Sequence, residues 1–496
     1  MLLGFTTPQL DYHGLAPEIV LVAALSLVLL ADLVFDVDRK WIVGNLASFG
    51  LLAALVPVIS LALFGDESRS MVGGAYVVDQ FSLVLKGLFL VSGYVILLLS
   101  SRYVEEGDYY EGEYYFLILC SVVGMMIMAS SRDLITIFVA LETLSIPGYL
   151  LAGWRKRDLR SNEASLKYYL LGVLASAVML YGMSLVYGYT GTTVLADIGD
   201  QVAGSVAAQP LVSVAIFFII VGFAFKVSAV PFHFWAPDTY EGSPTPVTAF
   251  LSVASKTGGF VALFQLIYIG FFGRDDVWAP IFWVLAALTM TVGNLIALRQ
   301  TNIVRLLAYS SIAQAGYILV PFAVAGTNAE AARTSFTASV VYLLVYAAMN
   351  LGAFAVVIAV ARKTRSGEIS SYGGLFEYAP GLTVLMSIFL FSLAGIPPLA
   401  GAWAKIFVFR SVIDAGTGWA IALGVIAAVN SVIALFYYAA IAKEMWMNPV
   451  PEDDRTPIRV PTSLTAAMGI TVAVVVAAGI WPQSIARLGD LATFVR

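Results

Sequence analysis

Charge is scarce in this chain. Of 496 residues only 12% are Asp, Glu, Lys or Arg, against 60% hydrophobic, whereas a soluble domain carries about 25% charged residues. With a mean hydropathy of +0.88, this excludes a soluble globular fold and leaves an integral membrane protein with many spans. Cysteine is scarcer still. Cys120 is the only one, so no disulfide forms within the chain. One cysteine and two histidines are too few for an iron–sulfur cluster or a structural zinc site. Neither a Gly-x-Gly-x-x-Gly after a strand nor a Walker loop is present. Redox or nucleotide chemistry is therefore expected in partners, and no cofactor or metal in this chain. The net charge of -5 offers no basic surface for nucleic acid. No Lys or Arg precedes Arg39, so the positive region of a secretory signal is missing and the first span is expected to be retained.

What is there is hydrophobic run after hydrophobic run. Windows of about 20 apolar residues mark about fourteen helical spans, near 16–35, 42–64, 80–101, 114–130, 133–153, 163–187, 211–230, 246–268, 278–298, 302–324, 335–361, 381–409, 418–444 and 462–482. The expected fold is an all-α polytopic membrane protein with short loops and no inserted soluble domain. After the last span, Ile485, Leu488, Leu491 and Phe494 recur at helical spacing and suit a short interfacial helix. With the N-terminus outside, fifteen Lys and Arg fall in cytoplasmic loops, among them Arg155, Lys156, Arg157, Arg160, Arg362, Lys363 and Arg365. Seven, including Arg496, fall outside. The excess favours both termini on the outer side.

The stretch from Phe225 to Gly259 breaks the pattern. Lys226 lies in the apolar run before it and Lys256 in the run after, with Pro231, Pro237, Pro244 and Pro246 between. Lipid penalises both buried charge and interrupted backbone, so keeping both together points to use. Four ionisable residues fall well inside spans: Glu142, Lys226, Lys256 and Lys405. Glu142 precedes Pro147, and Lys226 precedes Pro231, by five residues; Lys405 follows Gly395-Ile-Pro397-Pro398. A mid-span proline frees backbone carbonyls that water fills, and a hydrated break beside a lysine is what a proton path needs. Desolvation lowers a lysine pKa, at the extreme to about 5–6, and a nearby carboxylate raises it again. Arginine stays charged throughout. A Glu–Lys pair of variable separation can thus release and take up a proton; a structural ion pair is the plainer alternative.

Other polar residues carry weaker signals. Lys167 follows Glu163 by four residues, which fits a helix-surface ion pair as well as a functional role. His233 follows the break and reads equally as a proton relay or an interfacial histidine. Lys86 is expected to snorkel, Glu18 and Asp32 to be structural, and the Trp and Tyr residues near span ends to form an aromatic belt. The breaks at Pro231 and Pro397 fall at the seventh and twelfth spans, an odd five positions apart, so the broken elements are expected in opposite orientations, the pattern of an inverted-repeat transporter.

Five segments match a known family: Phe138-Val-Ala-Leu-Glu142-Thr-Leu-Ser-Ile-Pro147, Glu163-Ala-Ser-Leu-Lys167-Tyr168-Tyr169, Phe225-Lys226 through Pro244, Asn302-Ile-Val-Arg305 through Ile312, and Leu393-Ala-Gly395-Ile-Pro397-Pro398. From about the third span to the last, the chain resembles the antiporter-like membrane subunits of respiratory complex I, the proton-pumping NADH:quinone oxidoreductase. Of the three such subunits, L, M and N, it is most similar to N, through Pro237-Asp-Thr-Tyr-Glu-Gly242. Subunit M typically has glutamate at the Lys405 position, and L continues into a long lateral helix. Asn302-Ile-Val-Arg305 departs from relatives that carry a lysine beside the arginine.

The resemblance implies a single membrane domain. Its parts are an N-terminal three-span unit (1–104), two inverted five-helix repeats (113–268 and 278–445), and a last span with a tail (462–496). It implies Glu142 and Lys226 as the input pair, Lys256 as central relay on a broken eighth span, and Lys405 as terminal relay on a broken twelfth. FMN, iron–sulfur clusters, NADH and the quinone site are implied in other subunits, and the partners are neighbouring antiporter-like and small membrane subunits in the bacterial cytoplasmic membrane. The alternatives are a subunit of an Mrp-type cation/proton antiporter, and a scaffold that moves no protons.

Overall fold

The computed structural model describes residues 10–36, 39–65, 68–107, 111–203 and 209–494. Residues 1–9 and 495–496, which carry both termini and Arg496, lie outside this set. The chain is a multi-pass, almost entirely helical membrane protein. Among the described residues twelve helices are long and apolar enough to cross a bilayer.

The N-terminal part runs α1 (Ala16–Val34), α2 (Trp41–Phe64), a hairpin of β1 (Arg69–Met71) and β2 (Tyr76–Val78), α3 (Gln80–Glu105), α4 (Glu111–Ser130), α5 (Leu134–Ala152), α6 (Leu159–Thr190), α7 (Leu195–Val202), α8 (Pro210–Lys226) and α9 (Trp235–Gly242). Then α10 (Thr245–Phe250) passes through a π-helical turn, Leu251–Ser255, into α11 (Lys256–Gln265) and a second π turn, Leu266–Gly270. The rest comprises α12 (Asp275–Ala297), α13 (Ile303–Val324), α14 (Ala329–Thr364), α15 (Leu375–Tyr378), α16 (Pro380–Ala394), α17 (Ala400–Ala415), α18 (Gly418–Met447), α19 (Thr462–Ile480) and α20 (Gln483–Leu491). The β-hairpin, paired Arg69 to Val78, was not foreseen.

Helix starts follow from capping side chains. Asp79 and Ser82 form a reciprocal capping box at α3. The Asp133, Asp158, Asn302, Asn328 and Thr417 side chains each accept a backbone N–H of the next helix, satisfying donors that a helix start otherwise leaves open. The core is built on α14, whose 36 residues extend about 54 Å at 1.5 Å per residue. It is apolar all round and buried on nearly every turn, as a helix enclosed by others should be. The run from Thr245 to Gly270 is equally enclosed. Exposed apolar residues such as Phe49, Leu63, Leu170, Leu174, Trp419 and Phe436 sit on outer helices.

Several expectations need correction. The run 246–268 is not broken: it stays helical throughout, bent by two π turns. Lys86 does not snorkel. It is fully buried and pairs with Glu18 at 2.8 Å, because α3 packs its lysine inward against the α1–α2 pair. Tyr114 and Tyr168, toward span ends, are fully buried and join no belt, and Tyr317, Tyr342, Tyr346 and Tyr438, well inside their spans, are fully buried too. The tail helix α20 is only partly interfacial. Gly489 lies flush on α14, where a Cβ would come within 2.7 Å of Val341. Phe494 joins a ring cluster with Phe81 and Phe336.

Candidate functional site

The polar interior is organised around two helix breaks. At the first, α8 ends on Lys226 and regular helix resumes only at Trp235. The carbonyl of Phe225 accepts from Ser228 N–H and from the Trp235 indole, each at 3.0 Å, and Val230 N–H is taken by Thr289 at 2.9 Å. At the second, α16 ends at Ala394 and α17 begins at Ala400. Here Gly395 adopts φ +91°, a conformation that favours glycine.

All three candidate lysines are buried. Lys226 Nζ donates to Ser145 Oγ on α5 at 2.8 Å and to Tyr168 OH on α6 at 3.3 Å. Lys256, just after the first π turn, donates to the Ser311 backbone oxygen at 3.0 Å and to its Oγ at 2.5 Å. Lys405 donates to the Ala394 carbonyl at 2.7 Å and lies 4.7 Å over the Tyr317 ring. It thus caps the C-terminal end of α16, where the helix dipole favours a cation. Glycines make room for two of these side chains. A Cβ on Gly259 would lie 3.0 Å from Lys226 Cγ, and one on Gly395 would lie 2.7 Å from Lys405 Cδ.

None of the three ammonium groups has a carboxylate within 4.0 Å among the described residues. Glu142 is half-buried and accepts from Ser176 Oγ at 2.6 Å, so the expected input pair is not in direct contact. A narrow cavity nonetheless joins Lys226 to Ser176, the partner of Glu142. It is lined by Ser145, Tyr149, Ser176, Phe225 and Lys226 and holds about 10 Å³, roughly one water. Hydroxyls and carbonyls around each lysine satisfy hydrogen bonds without fixing the charge as a carboxylate would.

The remaining candidates sit elsewhere. Lys167 bridges Glu163 at 2.6 Å and Asp238 at 2.8 Å, while Arg305 bridges Asp238 at 2.9 Å and Glu241 at 2.8 Å. This network clamps α6, α9 and α13 together. Burial raises the Asp238 carboxyl, but the hydrogen bonds from Lys167 and Arg305 outweigh that and hold it below its ordinary value. His233 is buried at the first break, packed on Phe234, and its Nδ1 has no partner among the described residues. It bonds none of the lysines.

A family model described as "NADH:quinone oxidoreductase/Mrp antiporter, TM" matches residues 131–431, the stretch holding both breaks and all these lysines. The chain belongs to this family. Among its relatives in this antiporter-like family, the NADH-quinone oxidoreductase subunit N of Moorella thermoacetica is 42% identical over 477 residues, 95% of this chain and 96% of that one. The NAD(P)H-quinone oxidoreductase subunit 2 of Synechococcus elongatus is 43% identical over 88% of this chain and 82% of its own. The F(420)H(2) dehydrogenase subunit N of Methanosarcina mazei is 40% identical over 97% and 98%. A chain of respiratory complex I from Thermus thermophilus superposes with a TM-score of 0.76 at 32% identity, covering 95% of this chain and 98% of that one. A chain of the Mrp complex from Dietzia sp. DQ12-45-1b superposes at 0.83, with 22% identity and 97% coverage of both, which is a likeness of fold alone.

Sequence reading missed the polar face of α13. Ser310, Ser311, Gln314 and Tyr317 recur at helical spacing in an otherwise apolar span, the signal that could have found them. Ser310 Oγ lies 2.5 Å from Tyr438 OH, Gln314 Nε2 donates to Tyr438 OH at 3.3 Å, and Tyr342 OH donates to Gln314 Oε1. The Tyr342 and Tyr317 rings lie near parallel, 9° apart. These residues fill the space between the Lys256 and Lys405 sites.

Proposed function

We propose that this chain is a proton-translocating membrane subunit of a quinone oxidoreductase of the complex I type, most like subunit N. In that role it couples electron transfer from NADH to quinone, carried out in other subunits, to proton movement. The observation that carries the reading is a set of three buried lysines at and between two helix breaks, each held only by neutral acceptors. It stands in a chain about 40% identical over nearly its whole length to subunits N. A charge change arriving from a neighbouring subunit acts on Glu142, which in turn biases Lys226; protons pass by Lys256 to Lys405. Lys167 and His233 have secondary roles, Lys167 through the clamp on α9 and His233 beside the first break.

In this reading α8 with its break, and α16 with α17, are two further crossings, which makes about fourteen. The segments 113–268 and 278–445 are inverted repeats, with 1–104 and 462–496 flanking them. Both termini face outward from a bacterial cytoplasmic membrane, and FMN, iron–sulfur clusters and quinone lie in partner subunits. The relatives' named electron donors differ while their similarity to this chain does not, so the donor is read elsewhere in the complex. The test is Lys226→Ala, Lys256→Ala and Lys405→Ala in assembled complex, scored for protons per electron. Full stoichiometry with normal electron flow in all three would overturn the relay. An Mrp-type antiporter subunit is the second reading, favoured by the fold match alone; purification with flavin and iron–sulfur subunits decides against it.

A further inference from the structure

Gln314 stands where a hydrogen-bonded chain from Lys256 to Lys405 should be continuous, and it is the wrong kind of group for that position. Proton hopping needs each member to accept a proton on one side and release one on the other. Hydroxyls do this. A carboxamide does so only by taking a proton on Oε1 and losing one from Nε2, which leaves the imidic acid form. Here the amide is also fully committed. Its Nε2 donates to the Leu393 carbonyl at 3.0 Å and to Tyr438 OH at 3.3 Å, and its Oε1 accepts from Tyr342. The orientation is not arbitrary, because a backbone carbonyl can only accept and so requires the NH₂ side. From the amide nitrogen Tyr438 leads to Ser310, next in sequence to the Ser311 that holds Lys256; from the amide oxygen Tyr342 stacks on Tyr317, whose ring lies under Lys405.

The second relationship is at the break itself. Gln314 holds the carbonyl of Leu393 and Lys405 holds the carbonyl of Ala394, adjacent groups on the freed end of α16. Whatever moves that end moves both.

We propose that Gln314 is a gate: a positioning residue that keeps the Lys256 and Lys405 segments disconnected until the end of α16 shifts and releases its amide. The inference rests on the relay reading above. In this arrangement loss of the Lys405 proton turns a charged donor into a neutral amine, weakens its bond to the Ala394 carbonyl, loosens the end of α16 and frees Gln314 to rotate. The hydroxyls of Tyr438 and Tyr342 can then be joined by water.

The test uses the whole purified complex in proteoliposomes, without NADH, under an imposed pH gradient. Gln314→Glu places oxygens that both accept and release a proton at the same position. Passive proton flux is expected to rise about a hundredfold, at the low side of what a positioned acid–base group contributes to proton transfer. Flux in the double variant Gln314→Glu with Lys256→Ala is expected to fall back to the native level. Native flux in the single variant overturns the gate, and so does raised flux that persists in the double variant. If Gln314→Glu does not assemble, Gln314→Ala, which removes the amide and leaves its place to water between Tyr438 and Tyr342, is read in the same assay with the same two outcomes. The relay reading fails separately, if Lys256→Ala and Lys405→Ala leave NADH-driven pumping intact.

Discussion

Lys226 bonds Ser145, not Glu142, although Glu142 and Ser145 are three residues apart on the same helix, α5. Lys226 Nζ lies 2.8 Å from Ser145 Oγ, and Glu142 is held by Ser176. The structure therefore holds the proposed input residues apart, with a one-water cavity between their partners. A hydrogen bond to a charged group contributes about 1.5–3 kcal/mol. Ser145→Ala should move Lys226 toward Glu142 and lower NADH-driven proton uptake several-fold, with quinone reduction in uncoupled membranes less affected. Equal loss of both rates would mean Ser145 only supports assembly.

Lys405 caps α16 and is the proposed terminal relay, and two substitutions separate these roles. Lys405→Arg keeps a cation for the Ala394 carbonyl but does not deprotonate. It should preserve assembly and thermal stability while abolishing pumping. Gly395→Ala should damage both, since a Cβ there meets Lys405 Cδ at 2.7 Å and a left-handed non-glycine residue costs about 1–2 kcal/mol. Pumping by Lys405→Arg near the native rate would leave the cap as its only role.

The clamp at Asp238 gives a pH dependence. Its carboxyl is held below the ordinary value by Lys167 and Arg305, so its contribution is complete above the ordinary carboxylate range and is lost as pH falls through the folded-state value. The group is about one-third exposed, so each pair contributes about 1 kcal/mol or less. Asp238→Asn should lower the melting temperature in detergent at pH 7, and the gap from the native chain should close as the pH is taken below about 4. A gap independent of pH would show that packing, not charge, is what Asp238 supplies.

Lys86 and Glu18 form a buried pair away from the two breaks. Removing one partner of such a pair costs about 3–5 kcal/mol, whereas apolar replacement of both is often neutral. Lys86→Met should therefore impair assembly, and Lys86→Met with Glu18→Leu should restore it with pumping intact. Continued loss of pumping in the assembled double variant would place Lys86 among the working lysines.

Composition and hydrophobic runs alone determined the membrane setting, the location of every long helix and the two interruptions. Bilayer thickness sets helix length, and only a few residues escape the apolar pattern, so Glu142, Lys226, Lys256 and Lys405 stand out in one dimension. What those residues touch was decided in three dimensions. Ser145 and Lys226 are 81 positions apart, and Gln314 meets Tyr438 across 124; no periodicity brings such partners together. Tyr317, Tyr342 and Tyr438 face inward because α13, α14 and α18 enclose them, and Lys86 turned inward because Glu18 waits on α1. Charge and length are properties of the chain, whereas the neutral shell around each lysine, and the amide between two of them, exist only once the helices pack.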